Sequence, residues 1–521
     1  MIHGVREKNK CPLHKDTRRT DALLKKTYGH AKLKTRKPMK GSMIVKAPFS
    51  PYLDAIAPGL KKLVELLGED FDYVSVLSTD SVGFMASISQ RAKAVVHSTM
   101  MTERGSVLRV RRGGLYSEYA FNLFDPAHPE LTAAEARRVL NEQFALLAET
   151  DSKIYDTPAL PDEPCELRVE METGSLPEEA DLGALVDTFS QLSARGVGLG
   201  EHAIDCHVRA QSTHVCKMFL TAKRDMRQSY VYSEGAVFVI ASKDGEVKFG
   251  FESVSGREGP ELFKQLDEKV EKVAGIAEEL LTADRMEPGE YEIIVSPEVS
   301  GLIAHEAFGH GVEMDMFVKN RALGAQYIGK RVGSDLVTMH EGAKPEIQVA
   351  SYAFDDEGTP AHDTVEIQNG ILMTGVCDAL AALRLGVEPT GNGKRENFEH
   401  KVYTRMTNTV FESGDSTLEE MIATVPYGYL LAGMQSGMED PKHWGIQCII
   451  DRGYEIRDGA LTGKVVSPIV MTGYVPDLLG SISMLSRDHE LFGSGGCGKG
   501  HKEWVKVSDG GPYMKAKARL G

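Results

Sequence analysis

Apolar residues recur at helical spacing in four long segments of the chain. The first, SPYLDAIAPGLKKLVELLG, starts at Ser50, and a serine followed by proline is typical of a helix start. In the second, Thr132 precedes Glu135 in a capping-box pattern, which predicts Thr132 as the N-cap. The third, PEEADLGALVDTFSQLSAR, is predicted to end at Gly196, and the fourth runs from Pro260 with one heavily charged face.

The segments between these helices have the composition of β-strands. YVSVLST, GFMASISQ, AVVHSTMM and SVLRVRRGGLYSEYAFNLF predict separate strands joined by short turns. Two longer strand-like segments follow, HAIDCHVRAQSTHVCKMFLTA and SYVYSEGAVFVIASKDGEVKFGFESVS, and the second contains the hairpin signal KDG at 243–245. Helices and strands do not alternate as regular βαβ units, so we predict an α+β fold rather than a doubly wound sheet.

The clearest boundary in the pattern is the sequence EPG at 287–289. It divides a predicted N-terminal α+β domain, residues 43–285, from a second domain, residues 286–521. The second domain opens with the strand YEIIVS, after which Ser296 as N-cap and Pro297 at the first helical position start a helix.

The amino-acid composition is typical of a globular protein. It has 521 residues, of which 42% are hydrophobic, enough to bury sizeable cores. No apolar run approaches the roughly 18 residues of a membrane-spanning helix, and the N-terminus lacks the apolar region of a secretory signal. The seven cysteines are scattered and form no CxxC pair, which does not resemble a disulfide framework. We therefore expect a cytoplasmic protein without membrane partners.

The net charge of −15 is unevenly distributed. Residues 1–42 carry 13 Lys and Arg against 3 Asp and Glu, a local charge of +10, which leaves −25 on the remainder. The basic segment has little periodicity, and we predict a disordered extension. A mis-assigned translation start is the alternative, because Met39 and Met43 lie just before the first folded pattern. The acidic body argues against a dedicated nucleic-acid binder.

Candidate chemistry is densest in HEAFGHGVEMD, residues 305–315. His305 and His310 are candidate metal ligands, because neutral imidazole is the commonest protein ligand for zinc. Glu306 is the candidate general base that acts on a metal-bound water.

The five-residue spacing of the two histidines requires irregular winding. On a regular α-helix, residues five apart diverge by roughly 140° and do not face one ion. A π-type turn or a break would bring them together, and Gly309 and Gly311 beside the second histidine tolerate irregular dihedral angles. We therefore predict that the helix is not a straight α-helix from His305 to His310.

A third ligand is available near the C-terminus, in FGSGGCGKGHKEW, residues 492–504. Five glycines surround Cys497 and allow the close backbone approach that a short cysteine side chain needs to reach an ion. The residue would bind as a thiolate and complete a His₂Cys set with one open position for water. A loop with an incidental thiol is the alternative.

Three polar segments lie between these ligands. FDDEGTP, residues 354–360, predicts a tight turn, with Asp355 and Asp356 as possible contacts to ligands or substrate. PTGNGKREN, residues 389–397, resembles an anion-binding or peptide-binding loop, although it lacks the spacing of a P-loop. RMTNT, residues 405–409, places an arginine in a strand-like setting.

Together HEAFGHGVEMD, FDDEGTP, PTGNGKREN, RMTNT and CGKG resemble, in order and separation, the TldD branch of the TldD/PmbA metalloproteases, also called modulators of DNA gyrase. The resemblance is strong over 286–521 and weaker over about 45–285. It implies a two-domain fold and zinc held by His305, His310 and Cys497, with Glu306 as catalytic carboxylate. It also implies hydrolysis of small or unfolded peptides by two-subunit assemblies, either homodimers or heterodimers with an inactive homologue. AGMQSGMEDPKHWGIQ, residues 432–447, departs from the family pattern.

Two further expectations concern the mechanism, and the residues alone also leave other functions open. Glu313 and Asp315 are candidates to orient the imidazoles. A peptide would enter as an extended strand along a sheet edge. The alternative to an enzyme is a non-catalytic regulatory protein that uses the metal structurally and binds a toxin or topoisomerase. A His₂Cys set also admits iron or cobalt.

Overall fold

The computed structural model describes residues 44–149, 156–499 and 503–521. The predicted extension, residues 1–42, lies outside this part of the chain, as does Cys11. The described residues form the predicted α+β fold. Their α-helices are Pro51–Leu67, Pro129–Glu149, Leu182–Leu199, Leu266–Leu281, Pro297–Leu302, Met314–Val318, Ala379–Leu385, Leu418–Ala423 and Val475–Gly480. Short 3₁₀ turns lie at Pro177–Glu179, Pro260–Gln265, His310–Val312 and Leu323–Gln326, and a π-helix at Ile303–Gly309.

An eight-stranded sheet forms the N-terminal half of the described chain. Its strands are Tyr73–Ile88, Lys93–Val96, Arg104–Arg112, Leu115–Phe121, Cys165–Glu170, Ala203–Leu220, Arg224–Lys243 and Glu246–Gly256. The predicted hairpin turn is present, with positive φ at Asp244 and Gly245. A two-stranded pair, Val45–Lys46 with Glu172–Thr173, lies beside it.

Three predicted boundaries in this half are wrong. YVSVLST and GFMASISQ are one strand, because residues 80–82 between them stay paired with the strand Ala203–Leu220. The second helix begins at Pro129 rather than after Thr132, since proline has the backbone angle of a first helical residue. The third begins after Asp181, whose carboxylate accepts from the Ala184 N–H at 3.0 Å, and continues past Gly196.

Alternate residues of the N-terminal sheet have different neighbours. In the strand Tyr73–Ile88, even-numbered residues such as Val76 and Phe84 pack in cores with the four long helices. Odd-numbered Leu77, on the other face, packs with Phe354 of the C-terminal half. The sheet is therefore covered on both faces, and its second face lies against the half that carries the histidine motif.

The C-terminal sheet has eleven strands in the described residues. They are Gly289–Val295, Met339–Gly342, Thr364–Gln368, Ile371–Leu372, Asn408–Phe411, Tyr427–Asp440, Gly445–Arg457, Ala460–Val466, Ile469–Tyr474, Met484–Phe492 and Ser508–Leu520. Two further pairs are Gly393–Lys394 with Tyr403–Thr404, and Cys497–Lys499 with Glu503–Val505.

Five of these strands close into a ring. Gly289–Val295 pairs with Tyr427–Asp440 on one side and with Ser508–Leu520 on the other, and two more strands complete the circle. The helix that Ser296 and Pro297 start, as predicted, leaves the first of these strands and enters the largest apolar core. The histidine motif is thereby anchored on a closed scaffold.

The two sheets do not share strands, and the boundary at 285/286 stays a prediction about domains. Within residues 44–149, 156–499 and 503–521, every helix falls short of the length and apolar character needed to span a membrane.

Candidate metal centre

The histidine pair lies on a π-helix, one of the two irregularities that the spacing predicts. Ile303–Gly309 is π-helical, and the backbone N–H of His310 donates to the carbonyl of His305, five residues earlier. The wider turn places the two side chains on the same face. Their ring centroids are 5.1 Å apart and the rings are nearly perpendicular, at 86°.

The glycines beside His310 have a different purpose from the one predicted. Gly309 has φ −57° and ψ −56°, ordinary right-handed helical values, so dihedral freedom is not what the position requires. A Cβ at Gly309 would instead collide with the sulfur of Met406. A Cβ at Gly311 would lie 2.7 Å from a carboxylate oxygen of Glu439. Close packing therefore explains both glycines.

Cys497 reaches the histidines from a short hairpin, Cys497–Lys499 with Glu503–Val505. Its Sγ lies 3.2 Å from Nε2 of His310. One ligand atom each from His305, His310 and Cys497 lie within 4.8 Å of one another, and no other group of three such residues does so in the described part of the chain. Two imidazole nitrogens and a sulfur are thus gathered at one point.

The electrostatics of the cluster favour a thiolate. Burial raises the pKa of the Cys497 thiol, but the imidazoles of His305 and His310 outweigh burial and lower the pKa to about 4. The reverse holds for His310, where burial lowers the pKa and the Glu313 carboxylate and the thiolate raise it well above its usual value. A thiolate is the form of cysteine that binds metals.

Glu313 contacts a candidate ligand, whereas Asp315 does not. Oε2 of Glu313 lies 3.3 Å from Nδ1 of His310, on the ring edge that faces away from Cys497. Asp315 instead pairs with Lys499 at 2.8 Å, and Lys499 also pairs with Glu313 at 2.9 Å. Lys499 follows Cys497 by two residues. Glu313 therefore contacts His310 directly and reaches the segment of Cys497 through Lys499.

His305 has an acidic neighbour that sequence reasoning missed. Nδ1 of His305 is buried without a hydrogen-bond partner among the described residues, and Oδ2 of Asp509 lies 4.0 Å away. Burial raises the pKa of Asp509 to about 6. Asp509 lies in the strand Ser508–Leu520, beside the strand Asn408–Phe411. No local motif marks it, because the pairing of distant strands brings it to the site.

The arginine of RMTNT holds the cysteine hairpin. Arg405 is buried and donates to the carbonyl oxygens of Cys497 at 2.7 Å and Glu503 at 2.6 Å. The motif therefore positions Cys497 through the backbone carbonyl group of the cysteine.

The other two polar segments lie between the halves and do not contact the cluster in the described residues. Asp355 accepts from three backbone N–H groups, including that of Gly393, at 2.9 Å each. Asp356 pairs with Lys217 of the N-terminal sheet. The interpretation of residues 389–397 as a ligand-binding loop is wrong for its two basic side chains. Lys394 is buried and donates to backbone carbonyl oxygens, and Arg395 forms an ion pair with Glu118.

Glu306 is half-buried beside the cluster. The strand Tyr427–Asp440 passes close to it, and a Cβ at Gly437 would collide with the Cγ of Glu306. Glu439, two residues further along this strand, was also missed by sequence reasoning, and burial raises its pKa to about 9. Gly437 and Glu439 both belong to 432–447, so the segment that we expect to depart from the family pattern lies against Glu306.

Comparisons with known proteins identify relatives of this chain. The family described as "PmbA/TldA metallopeptidase C-terminal domain" matches residues 288–518. A metalloprotease of Synechocystis is 28% identical over 461 residues, which cover 87% of this chain and 96% of that protein. A zinc metalloprotease TldD homolog of Saccharolobus solfataricus is 31% identical over 44% of this chain and 51% of its own length.

Solved structures share the fold. TldE from Thermococcus kodakarensis has a TM-score of 0.69 at 18% identity and covers 89% of this chain and 100% of its own. A structure from Thermotoga maritima gives the same TM-score at 17% identity. The domain match over residues 288–518 and the relatives named as metalloproteases place the C-terminal half of the chain in the TldD/PmbA family of metallopeptidases.

Proposed function

We propose that this protein is a zinc-dependent metalloprotease of the active TldD branch, which hydrolyses small or unfolded peptides. The observation that carries the proposal is the π-turn that brings His305 and His310 to Cys497, with Glu306 beside the first histidine. The name of the Saccharolobus relative, a zinc metalloprotease, supports the choice of metal.

The donor set fits zinc. Two imidazoles and a thiolate are typical zinc ligands, and three protein ligands with an open position are typical of catalytic rather than structural sites. Nε2 of His310 faces Cys497 while Nδ1 faces Glu313, the arrangement in which a carboxylate fixes the orientation of a metal-binding ring.

When bound, zinc supplies Lewis acidity, which lowers the pKa of a water ligand towards ~7 and polarises the scissile carbonyl. Glu306 takes a proton from the attacking water and delivers it to the departing amine as the peptide C–N bond breaks. Glu313 keeps the imidazole of His310 oriented, and Asp509 provides a carboxylate 4.0 Å from Nδ1 of His305. Arg405 fixes the backbone of Cys497.

The biological context is part of the proposal. We expect a peptide to enter as an extended strand along a sheet edge. We also expect a two-subunit assembly, either a homodimer or a heterodimer with an inactive homologue, in the cytoplasm. Light scattering of the purified chain, alone and mixed with such a homologue, tests the assembly.

The enzyme is tested by elemental analysis of purified protein combined with cleavage of an unfolded peptide, with and without a chelator. One zinc per chain and cleavage that chelation abolishes and added zinc restores are expected. Bound metal without cleavage, both alone and with an inactive homologue, would favour the regulatory alternative. Stoichiometric iron or cobalt would correct the metal.

A further inference from the structure

The loop that leads to Cys497 is hydrogen-bonded to the N-terminal sheet. The backbone N–H of Gly493 donates to Oγ of Ser255 at 2.9 Å, and the N–H of Gly495 donates to Oε2 of Glu234 at 2.9 Å. Both acceptors are on strands of the N-terminal sheet, far from the histidine helix in the chain. Two points of the cysteine loop are thus fixed by the other half of the protein.

Lys506 holds the same loop from the other side of the hairpin. Its ammonium donates to the carbonyl oxygens of Gly495 at 2.5 Å and Gly493 at 3.2 Å, and it forms an ion pair with Glu234. Both side chains are largely buried, with 10% of Lys506 and 16% of Glu234 exposed. Glu234 also accepts from Gln211 of the neighbouring strand. The carboxylate therefore connects the sheet, the loop and the lysine after the hairpin.

Such support is needed because of the composition of the loop. Gly493, Gly495 and Gly496 have no side chains to pack, and glycine loses more conformational freedom on ordering than any other residue. Gly495 has φ +136°, a conformation that side-chain-bearing residues rarely adopt. Hydrogen bonds from outside the loop hold this backbone, and its position determines where the thiolate of Cys497 lies.

We propose that Glu234 is a positioning residue for the metal centre. Through Gly495 and Lys506 it holds Cys497 against His305 and His310, so that the N-terminal sheet sets the affinity of the C-terminal site for metal. This inference rests on the proposed function, and it assigns to the N-terminal half a part in metal binding.

The test uses Glu234→Gln in the full chain, with Zn²⁺ and Co²⁺ as probes. Partners that orient metal ligands typically contribute about 10- to 100-fold in metal affinity, so zinc binding measured by chelator competition should weaken within that range. The thiolate-to-cobalt charge-transfer band should also weaken per bound Co²⁺, because the Cys497 sulfur moves off the ion. A change in stability alone would leave this band intact.

The matched control is Glu252→Gln. Glu252 is a carboxylate of the same sheet, and it pairs with Lys269 and Lys272 rather than with the cysteine loop. This variant should bind zinc as tightly as the wild type and show the full cobalt band.

Ser255→Ala is the second variant, in case Glu234→Gln does not fold by circular dichroism. It removes one neutral acceptor from Gly493 and should weaken zinc binding and the cobalt band in the same direction, to a smaller extent. Unchanged zinc affinity and cobalt band in a folded Glu234→Gln, or in Ser255→Ala if the first variant is unfolded, would overturn the inference. A wild type that binds no zinc would instead overturn the proposed function.

Discussion

The Sγ atom of Cys497 lies 3.2 Å from Nε2 of His310, although 187 positions separate the two residues in the chain. Contact between a thiol and two imidazoles changes the chemistry of all three. This contact supports a thiolate at Cys497 in the metal-free protein. It predicts that Cys497 reacts selectively with reagents that attack thiolates.

At pH 6, iodoacetamide should label Cys497 of the metal-free protein before the other buried cysteines. The imidazoles hold the pKa of Cys497 at about 4, so its thiolate persists as the pH falls towards that value. In the described residues, burial raises the pKa of four other thiols to about 12: Cys206, Cys216, Cys377 and Cys448. Mass spectrometry of peptides gives the order of labelling.

Urea-unfolded protein is the control for this labelling. Its thiols return to a common pKa of about 8.5 and should react slowly and uniformly at pH 6. Saturating zinc should protect Cys497 in the folded protein. Equal labelling of all buried cysteines, or labelling that zinc leaves unchanged, would contradict the thiolate assignment.

Glu306→Gln should retain zinc and lose peptidase activity. The amide keeps the shape of the side chain but cannot accept the proton of the attacking water, and general-base catalysis typically contributes about 10²- to 10⁴-fold in rate. The measurement is peptide cleavage together with zinc content by elemental analysis. A variant that cleaves at the wild-type rate would remove Glu306 from the mechanism.

Glu313→Gln and Asp315→Asn should separate two carboxylates that look equivalent in sequence. Glu313 contacts His310, so its loss should weaken zinc binding by about 10- to 100-fold. Asp315 contacts Lys499 and Lys319 but no candidate ligand, so its replacement should have a smaller effect. Equal zinc dissociation constants for the two variants would show that the contact with His310 does not matter.

Gly309→Ala should destabilise the fold, because its new methyl group would collide with Met406 in a packed core. Overpacking of this kind costs about 1–3 kcal/mol of unfolding free energy. Gly275→Ala is the matched control, since a Cβ there meets nothing within 4 Å in the helix Leu266–Leu281. That variant should be neutral or slightly stabilising by urea unfolding. Similar behaviour of the two variants would refute the packing explanation.

Acid should weaken the junction of the two halves through Glu118. Burial raises the pKa of Glu118, but Arg109 and Arg395 outweigh it and hold the pKa at about 2. Because the folded pKa lies below the unfolded value of about 4.3, this stabilisation is present above pH 4.3 and is lost as pH falls towards 2. Glu118→Gln should therefore show a shallower acid dependence of unfolding free energy over this range.

Glu135→Gln is the control for the acid experiment. Glu135 forms an exposed ion pair with Arg138 on a helix surface, where solvent screens the interaction. Its replacement should leave the pH dependence close to that of the wild type. If Glu118→Gln also follows the wild-type curve, the ion pairs of Glu118 do not contribute to acid stability.

Local patterns were sufficient for much of the fold. Ser50 was predicted as a helix start and Ser296 as an N-cap, and both are N-caps, because a helix start depends on its immediate neighbours. The spacing of His305 and His310 predicted a π-type turn or a break, and the structure has the π-type turn. Thr132 was misassigned because its capping-box pattern competes with Pro129, which suits the first helical position and begins the helix three residues earlier.

The parts of the site that sequence reasoning missed come from tertiary contacts. Asp509 reaches the centre, and Glu234 reaches the loop before Cys497, through strands that pair with distant partners, and no motif surrounds either residue. Gly309 was identified, but for the wrong reason, since Met406 comes near it only in the folded protein. Lys394 and Arg395 resembled ligand-binding cations because sequence does not reveal that both are buried, Lys394 against backbone carbonyl oxygens and Arg395 against Glu118.

The closed ring of strands has a consequence for synthesis. Gly289–Val295, which leads into the histidine helix, pairs along its whole length with Ser508–Leu520. Ribosomes make the second strand long after the first, and Cys497 also belongs to this late segment. The histidine half therefore cannot complete its hydrogen bonding or its ligand set before Ser508–Leu520 has been made, whereas the N-terminal sheet is already available to fold. Nascent chains should acquire metal only after synthesis has passed this strand.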